Sequence, residues 1–211
     1  MAVGDTHAKQ PVEIQKVNIL VVEGRDEELF FGALIHSLGL GSIQIMSFGG
    51  KAKLREYLKA LIRTSGFASV SCLGIARDAN SDPRAAFQSV CDALKDNNLP
   101  APGKPLVLTG HSPRVTVMIL PGEGNPGMLE DLCLRAVTQD PAKFCIDKYF
   151  ECLQKQSLPL PHNMSKARVH AFLSSRPEAD KRLGEAAQAG YWPWDSEAFG
   201  QAKAFLQQIT S

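Results

Sequence analysis

The amino-acid sequence predicts an α/β protein with a mostly parallel β-sheet, helices on its faces and a helical C-terminal extension. Two observations point there. Through the first two thirds of the chain, apolar runs of strand length alternate with stretches whose apolar residues recur at helical spacing. Beyond about residue 140 only the helical spacing remains. A strand–helix–strand order makes successive strands parallel, joined by right-handed crossovers that lay the helices on the sheet.

After a polar leader over residues 1–16, residues 17–22 (VNILVV) read as the first strand. Residues 26–38 follow as a helix, with Phe30, Leu34 and Leu38 on one face and Phe31 and Ile35 beside them. LGLGS turns the chain into residues 42–48 (SIQIMSF), which alternate with period two until Gly49 and Gly50 stop them. A second helix over 51–62 carries Leu54, Tyr57, Leu58, Leu61 and Ile62 on one face. Residues 70–76 (VSCLGIA) read as a third strand, ending in RDANSDP before a helix marked by Phe87, Val90, Cys91 and Leu94. The proline-rich LPAPGKP leads to a short strand over 106–109, hairpinned through GHSP to a strand over 115–120. PGEGNPG is then a loop and MLEDLCLRAV a helix. KFCIDKYFECL, SKARVHAFLSS and EAFGQAKAFLQQI supply the later helices, interrupted by LPLPHN. The expected organisation is a leader (1–16), an α/β domain (17–139) and a helical extension packed on it (140–211).

Composition narrows the function classes. A chain with 44% hydrophobic and 21% charged residues can bury a real core, and a net charge of +1 excludes binding through bulk positive charge. Any contact with nucleic acid has to be local. Five cysteines, Cys72, Cys91, Cys133, Cys145 and Cys152, are widely spaced and form no CxxC. They read as buried small hydrophobes in a reducing compartment. The first fifteen residues lack a signal-peptide pattern, and no apolar stretch approaches a membrane span, so a cytoplasmic location and no membrane partner are expected.

The chemistry gathers at two strand ends, VVEG and GIARDANSD, each followed by a helix. In parallel sheets ligands collect beyond the carboxyl ends of the strands, so Glu23, Asp78, Asn80 and Asp82 fall on one edge despite their separation in sequence. Glu and Asp oxygens on tight turns suit Mg²⁺ or Mn²⁺, which prefer hard donors and keep waters for a phosphate to displace. Taken singly, a carboxylate before a helix also serves as a cap or dipole partner.

The order VVEGRDE, then DANSD after a third strand, resembles the TOPRIM superfamily, shared by topoisomerases, primases and small nucleases, with its Glu-Gly after the first strand and Asp-x-Asp after the third. GGKAKL, LPGEGNPGMLEDL and the SKARVHAFL to AAQAGYW tail extend the resemblance to a family of small uncharacterised TOPRIM proteins close to the overcoming-lysogenization-defect (OLD) nucleases. The resemblance implies a TOPRIM-like fold and a role for Glu23 as metal-linked carboxylate or general base, with Asp78 as first metal ligand. Asn80 stands where the second Asp is expected, with Asp82 two residues on; Asn offers a carbonyl oxygen but no charge. Glu27 stands where the family has an acid four residues after the Glu, Glu130 matches the acid of a second metal position, and Lys166 matches the lysine that meets the scissile phosphate. The implied activity is metal-dependent cleavage or transfer of phosphodiester bonds in DNA or RNA. The alternative is a noncatalytic TOPRIM module that binds nucleic acid or protein.

Other signals are weaker. Gly49, Gly50 and Lys51 open a helix and suit an anion held by backbone N–H groups, although a solvated helix face explains Lys51 equally well. GEGNPG matches GxGxxG, yet it follows the last strand and Pro126 stiffens it, so its expected job is to present Glu130. No GxxxxGK[ST] occurs, which leaves any ATPase to a partner. Trp192 and Trp194, around Pro193, read as pins holding a loop on the core rather than as base-stacking residues.

Overall fold

The structure, a computed structural model, describes residues 13–50 and 53–211. Four strands, β1 (Asn18–Val22), β2 (Ile43–Ser47), β3 (Cys72–Asp78) and β4 (Arg114–Leu120), form one sheet in the order β2-β1-β3-β4, every pair parallel. Eight helices flank it among the described residues: α1 (Arg25–Ser37), α2 (Leu54–Leu61), α3 (Pro83–Asp96), α4 (Leu129–Ala136), α5 (Pro141–Lys155), α6 (Met164–Ser174), α7 (Leu183–Gln188) and α8 (Gly200–Thr210). The protein is therefore an α/β fold with a parallel sheet between helices. None of the described helices is long and apolar enough to cross a membrane.

Period-two alternation assigns the two faces. Ile19 and Val21, Leu73 and Ile75, and Val115, Val117 and Ile119 face α2 and α3. Leu20 and Val22, Cys72 and Ala76, and Met118 and Leu120 face a second core shared with α1 and α4 through α8. Both cores are closed to solvent, so the sheet reads as continuous apolar runs. The last helix makes the closest approach. A Cβ on Gly74 would collide with the Ile209 side chain and lie 3.1 Å from Phe205, so only glycine lets α8 cross β3 here.

Several expectations change. β3 ends at Asp78 rather than at residue 76, which places that carboxylate at the last ladder position, opposite Leu120. No strand forms over 106–109. That segment makes one antiparallel bridge, Thr109 to Val115, plus the Leu106 N–H bond to the Val117 carbonyl at 2.9 Å, because Leu106 adopts φ +61°, outside the extended region a ladder needs. Cys72, Cys91 and Cys133 are buried free thiols, but Cys145 and Cys152 lie exposed on the outer face of α5, where periodicity gave them apolar neighbours without a partner surface. The tryptophans do pin the core. Trp192 is buried, stacks on Phe172 at 5.4 Å and donates from Nε1 to the Leu183 carbonyl, while Trp194 packs against Phe30 and Phe199.

Candidate metal centre

The carboxyl ends of β1 and β3 and the first turns of α1 and α4 open on one cleft of about 370 Å³. Glu23, Asp26, Glu27, Asp78, Glu130 and Lys166 all reach its wall. Residues up to 143 positions apart in the sequence thus meet, as the parallel topology requires.

Glu23 sits between β1 and α1. Its main-chain carbonyl accepts from the N–H groups of Gly49 (2.9 Å) and Gly50 (3.2 Å), which adopt φ +75° and +119° as the chain curls past the end of β2. Those two donors are therefore turned onto Glu23 and not left for an anion, which changes the expected role of the paired glycines. Lys51 lies outside the described residues. The side-chain atom Glu23 Oε2 is buried and has no hydrogen-bond partner among the described residues. A carboxylate oxygen removed from water without a partner is costly, and a cation is the natural remedy.

Asp78 accepts one bond, from the Leu129 N–H at the start of α4 (3.0 Å). That bond favours the charged form, but burial, reinforced by Glu27, Glu130 and Glu23, outweighs it and pushes the carboxyl up to about 8. Burial also raises Glu27, with Glu23, Asp26 and Glu130 adding to the effect against its own helical N–H. Glu130 is raised chiefly by burial too, opposed by its own backbone N–H and by Lys166. Among the described residues two cations reach the wall: Arg25, which pairs with Glu28 at 2.9 Å, and Lys166, whose Nζ lies 3.8 Å from Glu130 Oε1, with the lysine side chain 57% exposed and the glutamate 16%. Its helix is set by Asn163, whose side chain caps the Lys166 N–H (2.9 Å), and by the Ser165 hydroxyl, which donates to Asp131.

Two expected ligands are elsewhere. Asn80, at φ +54°, uses its main chain in two 2.7 Å bonds with Gly127 and donates from Nδ2 to the Asp78 carbonyl at 3.3 Å. Asp82 caps α3, accepting from the Arg84 and Ala85 N–H groups at 2.9 Å. Neither reaches the acidic wall. Conversely, Asp26, which sequence reasoning passed over beside Glu27, holds the cleft together by accepting the Gly184 N–H at 3.0 Å. A Cβ on Gly184 would come within 2.7 Å of Leu29 Cβ and 2.8 Å of the Asp26 carbonyl, so α7 abuts the first turn of α1.

The donor set suits a hard divalent ion. Among the described residues, no three Asp, Glu, His or Cys groups already share one ion-sized position. Mg²⁺ needs only one or two protein carboxylates, the rest of its octahedron being water or phosphate. The unpartnered Glu23 oxygen and the repelling acids around Asp78 fit that requirement.

The C-terminal region of the Xanthomonas campestris pv. campestris OLD protein is similar to this chain, with a TM-score of 0.48 and 12% identity over 92% of this chain and 94% of that one. The C-terminal region of the Burkholderia pseudomallei OLD protein gives a TM-score of 0.46 and 15% identity over 94% and 100%. No curated protein matches the sequence significantly. The family described as "Protein of unknown function (DUF3226)" matches residues 17–211, and the chain belongs to it.

Proposed function

We propose that the acidic cleft binds Mg²⁺ or Mn²⁺ and that the chain cleaves or transfers phosphodiester bonds of nucleic acid, as a TOPRIM-type, OLD-like nuclease. The observation that carries this reading is the buried Glu23 oxygen, unpartnered among the described residues, in a cleft shared with Asp78, Glu27 and Glu130. Glu23 and Asp78 would hold the ion, with Glu27 and Glu130 turning toward it. When bound, it would supply positive charge to a phosphate oxygen and lower the pKa of a water. A Glu23 oxygen not engaged by the ion would take a proton from an attacking water. Lys166, with an exposed head at the lip of the cleft, neutralises charge growing on the phosphate by turning from Glu130. The Leu129 N–H holds Asp78 in its rotamer throughout.

A noncatalytic nucleic-acid- or protein-binding module is the second reading, and the displacement of Asn80 from the cleft favours it. Nuclease assays on single- and double-stranded DNA and RNA with Mg²⁺ or Mn²⁺, with Glu23→Ala as control, separate the two. Metal-dependent cleavage lost in the variant supports the enzyme. Mn²⁺-dependent thermal stabilisation without cleavage of any substrate supports the module, and the absence of both overturns the metal site itself.

A further inference from the structure

A larger cavity, of about 740 Å³ against about 370 Å³ for the acidic cleft, opens on the far edge of the sheet, between the start of α3, the 103–106 segment and the end of β4. It falls within the 300–1,000 Å³ range of small-molecule sites. Its features do not depend on the acidic cleft.

The first feature is a free strand edge. Val115 exchanges backbone bonds with Thr109, and the Val117 carbonyl accepts from Leu106, so the odd-numbered residues of β4 turn their backbone groups outward. Ile119 is next in that series. The covering segment has left the edge by then, and no described backbone group outside the ladder bonds to Ile119. Its N–H and carbonyl offer one donor and one acceptor side by side to whatever enters. The second is the Phe87 ring on the wall, half-buried, with Leu106 also on the lining. The third is charge. Arg84 and Lys104 stand at the cavity, and neither forms an ion pair among the described residues. Two acids line the cavity as well, each with a partner of its own: Asp82 accepts the α3 N–H groups of Arg84 and Ala85, and Glu123 lies 3.5 Å from Arg135.

A donor–acceptor pair on a strand edge, an aromatic wall and two unpaired cations at the rim together match the three parts of a nucleotide: the hydrogen-bonding edge of a base, its flat face and its phosphate. We propose that this cavity binds a single nucleotide, base inward against Phe87 and the Ile119 backbone, phosphate outward toward Arg84 and Lys104. A free mononucleotide and the terminal nucleotide of a single strand present the same chemistry.

The test is calorimetric titration of the full chain, in EDTA so that the acidic cleft plays no part, with AMP, GMP, CMP and UMP, the corresponding nucleosides, and a 5′-phosphorylated hexanucleotide. Saturable binding of at least one nucleotide is expected. Phe87→Ala is expected to weaken it at least tenfold, Arg84→Ala with Lys104→Ala to weaken the nucleotide but not its nucleoside, and Glu23→Ala to leave it unchanged. Circular dichroism confirms that each variant is folded, and Phe87→Leu serves in place of Phe87→Ala should the latter fail to fold. Comparing mononucleotide with hexanucleotide identifies the source. No binding by any nucleotide at millimolar concentration, or binding that survives both the Phe87 and the double cation substitution, overturns the proposal.

Discussion

Replacing Asp78 with asparagine should make the metal-free protein more stable at alkaline pH, although it removes a residue of the candidate site. The Asp78 carboxyl rises from its ordinary 3.8 to about 8 in the folded chain, from burial first and from Glu27, Glu130 and Glu23 second. Below about pH 4 both folded and unfolded chains carry the proton and the folded state has its full relative stability. Between about pH 4 and pH 8 the folded chain holds a proton that the unfolded chain has released, so stability falls as pH rises, and the loss is complete above the folded pKa. One proton corresponds to about 1.4 kcal/mol per pH unit, hence roughly 4 kcal/mol between about pH 5 and pH 8. Asparagine keeps an oxygen to accept the Leu129 N–H and cannot ionise. Urea unfolding of both proteins in EDTA at several pH values gives the difference in stability directly. Subtraction cancels the pH dependence of groups that the substitution does not touch. A difference in stability between wild type and Asp78→Asn that stays flat from about pH 5 to pH 8 would falsify the electrostatic account of the cleft.

The remaining expectations are narrower. Saturating Mn²⁺ at about a hundredfold over its dissociation constant should stabilise the wild type by about 2.7 kcal/mol, and Asp78→Ala should abolish that response; thermal melts with and without EDTA measure it. Asp82→Ala should cost about 1 kcal/mol through the lost α3 cap while the Mn²⁺ response persists, since this carboxylate lies off the acidic wall; an unresponsive variant would return Asp82 to the site. Gly184→Ala should destabilise by about 1–3 kcal/mol and weaken the Mn²⁺ response as well, because the new methyl meets Leu29 and the Asp26 main chain; unchanged unfolding would refute the close approach. Gly74→Ala, read in the same melts, should cost about as much without touching the Mn²⁺ response, its clash being with Ile209 in the core.

The sheet and most helices were legible because burial on both faces writes itself into periodicity. Leu20 and Val22 face one core and Ile19 and Val21 the other, as period-two alternation demands. Glu23 and Asp78 were legible together because the carboxyl ends of parallel strands share one rim, whereas Glu27, Glu130 and Lys166 were legible only through the family resemblance; all five line the cleft. Periodicity does not say which backbone donor finds which acceptor. The Gly49 and Gly50 amides look free in the sequence and in fact bond the Glu23 carbonyl, and the left-handed backbone at Asn80 binds it to Gly127 instead of turning its side chain to the site. The 106–109 segment has strand-like residues, yet a positive φ at Leu106 limits it to a single bridge. Asp26 gave no signal because its partner, the Gly184 amide, lies 158 residues away and carries no side chain.

The bond from the Trp192 indole to the Leu183 carbonyl, one residue before the amide that grips Asp26, has a consequence for engineering. Shortening the protein from its carboxyl end does not trim an appendage; it removes the clamp on the opening turn of α1. Fragments lacking Trp192 would carry every acid of the cleft and still lose its geometry, so failure of such a fragment to bind manganese would say nothing against those acids.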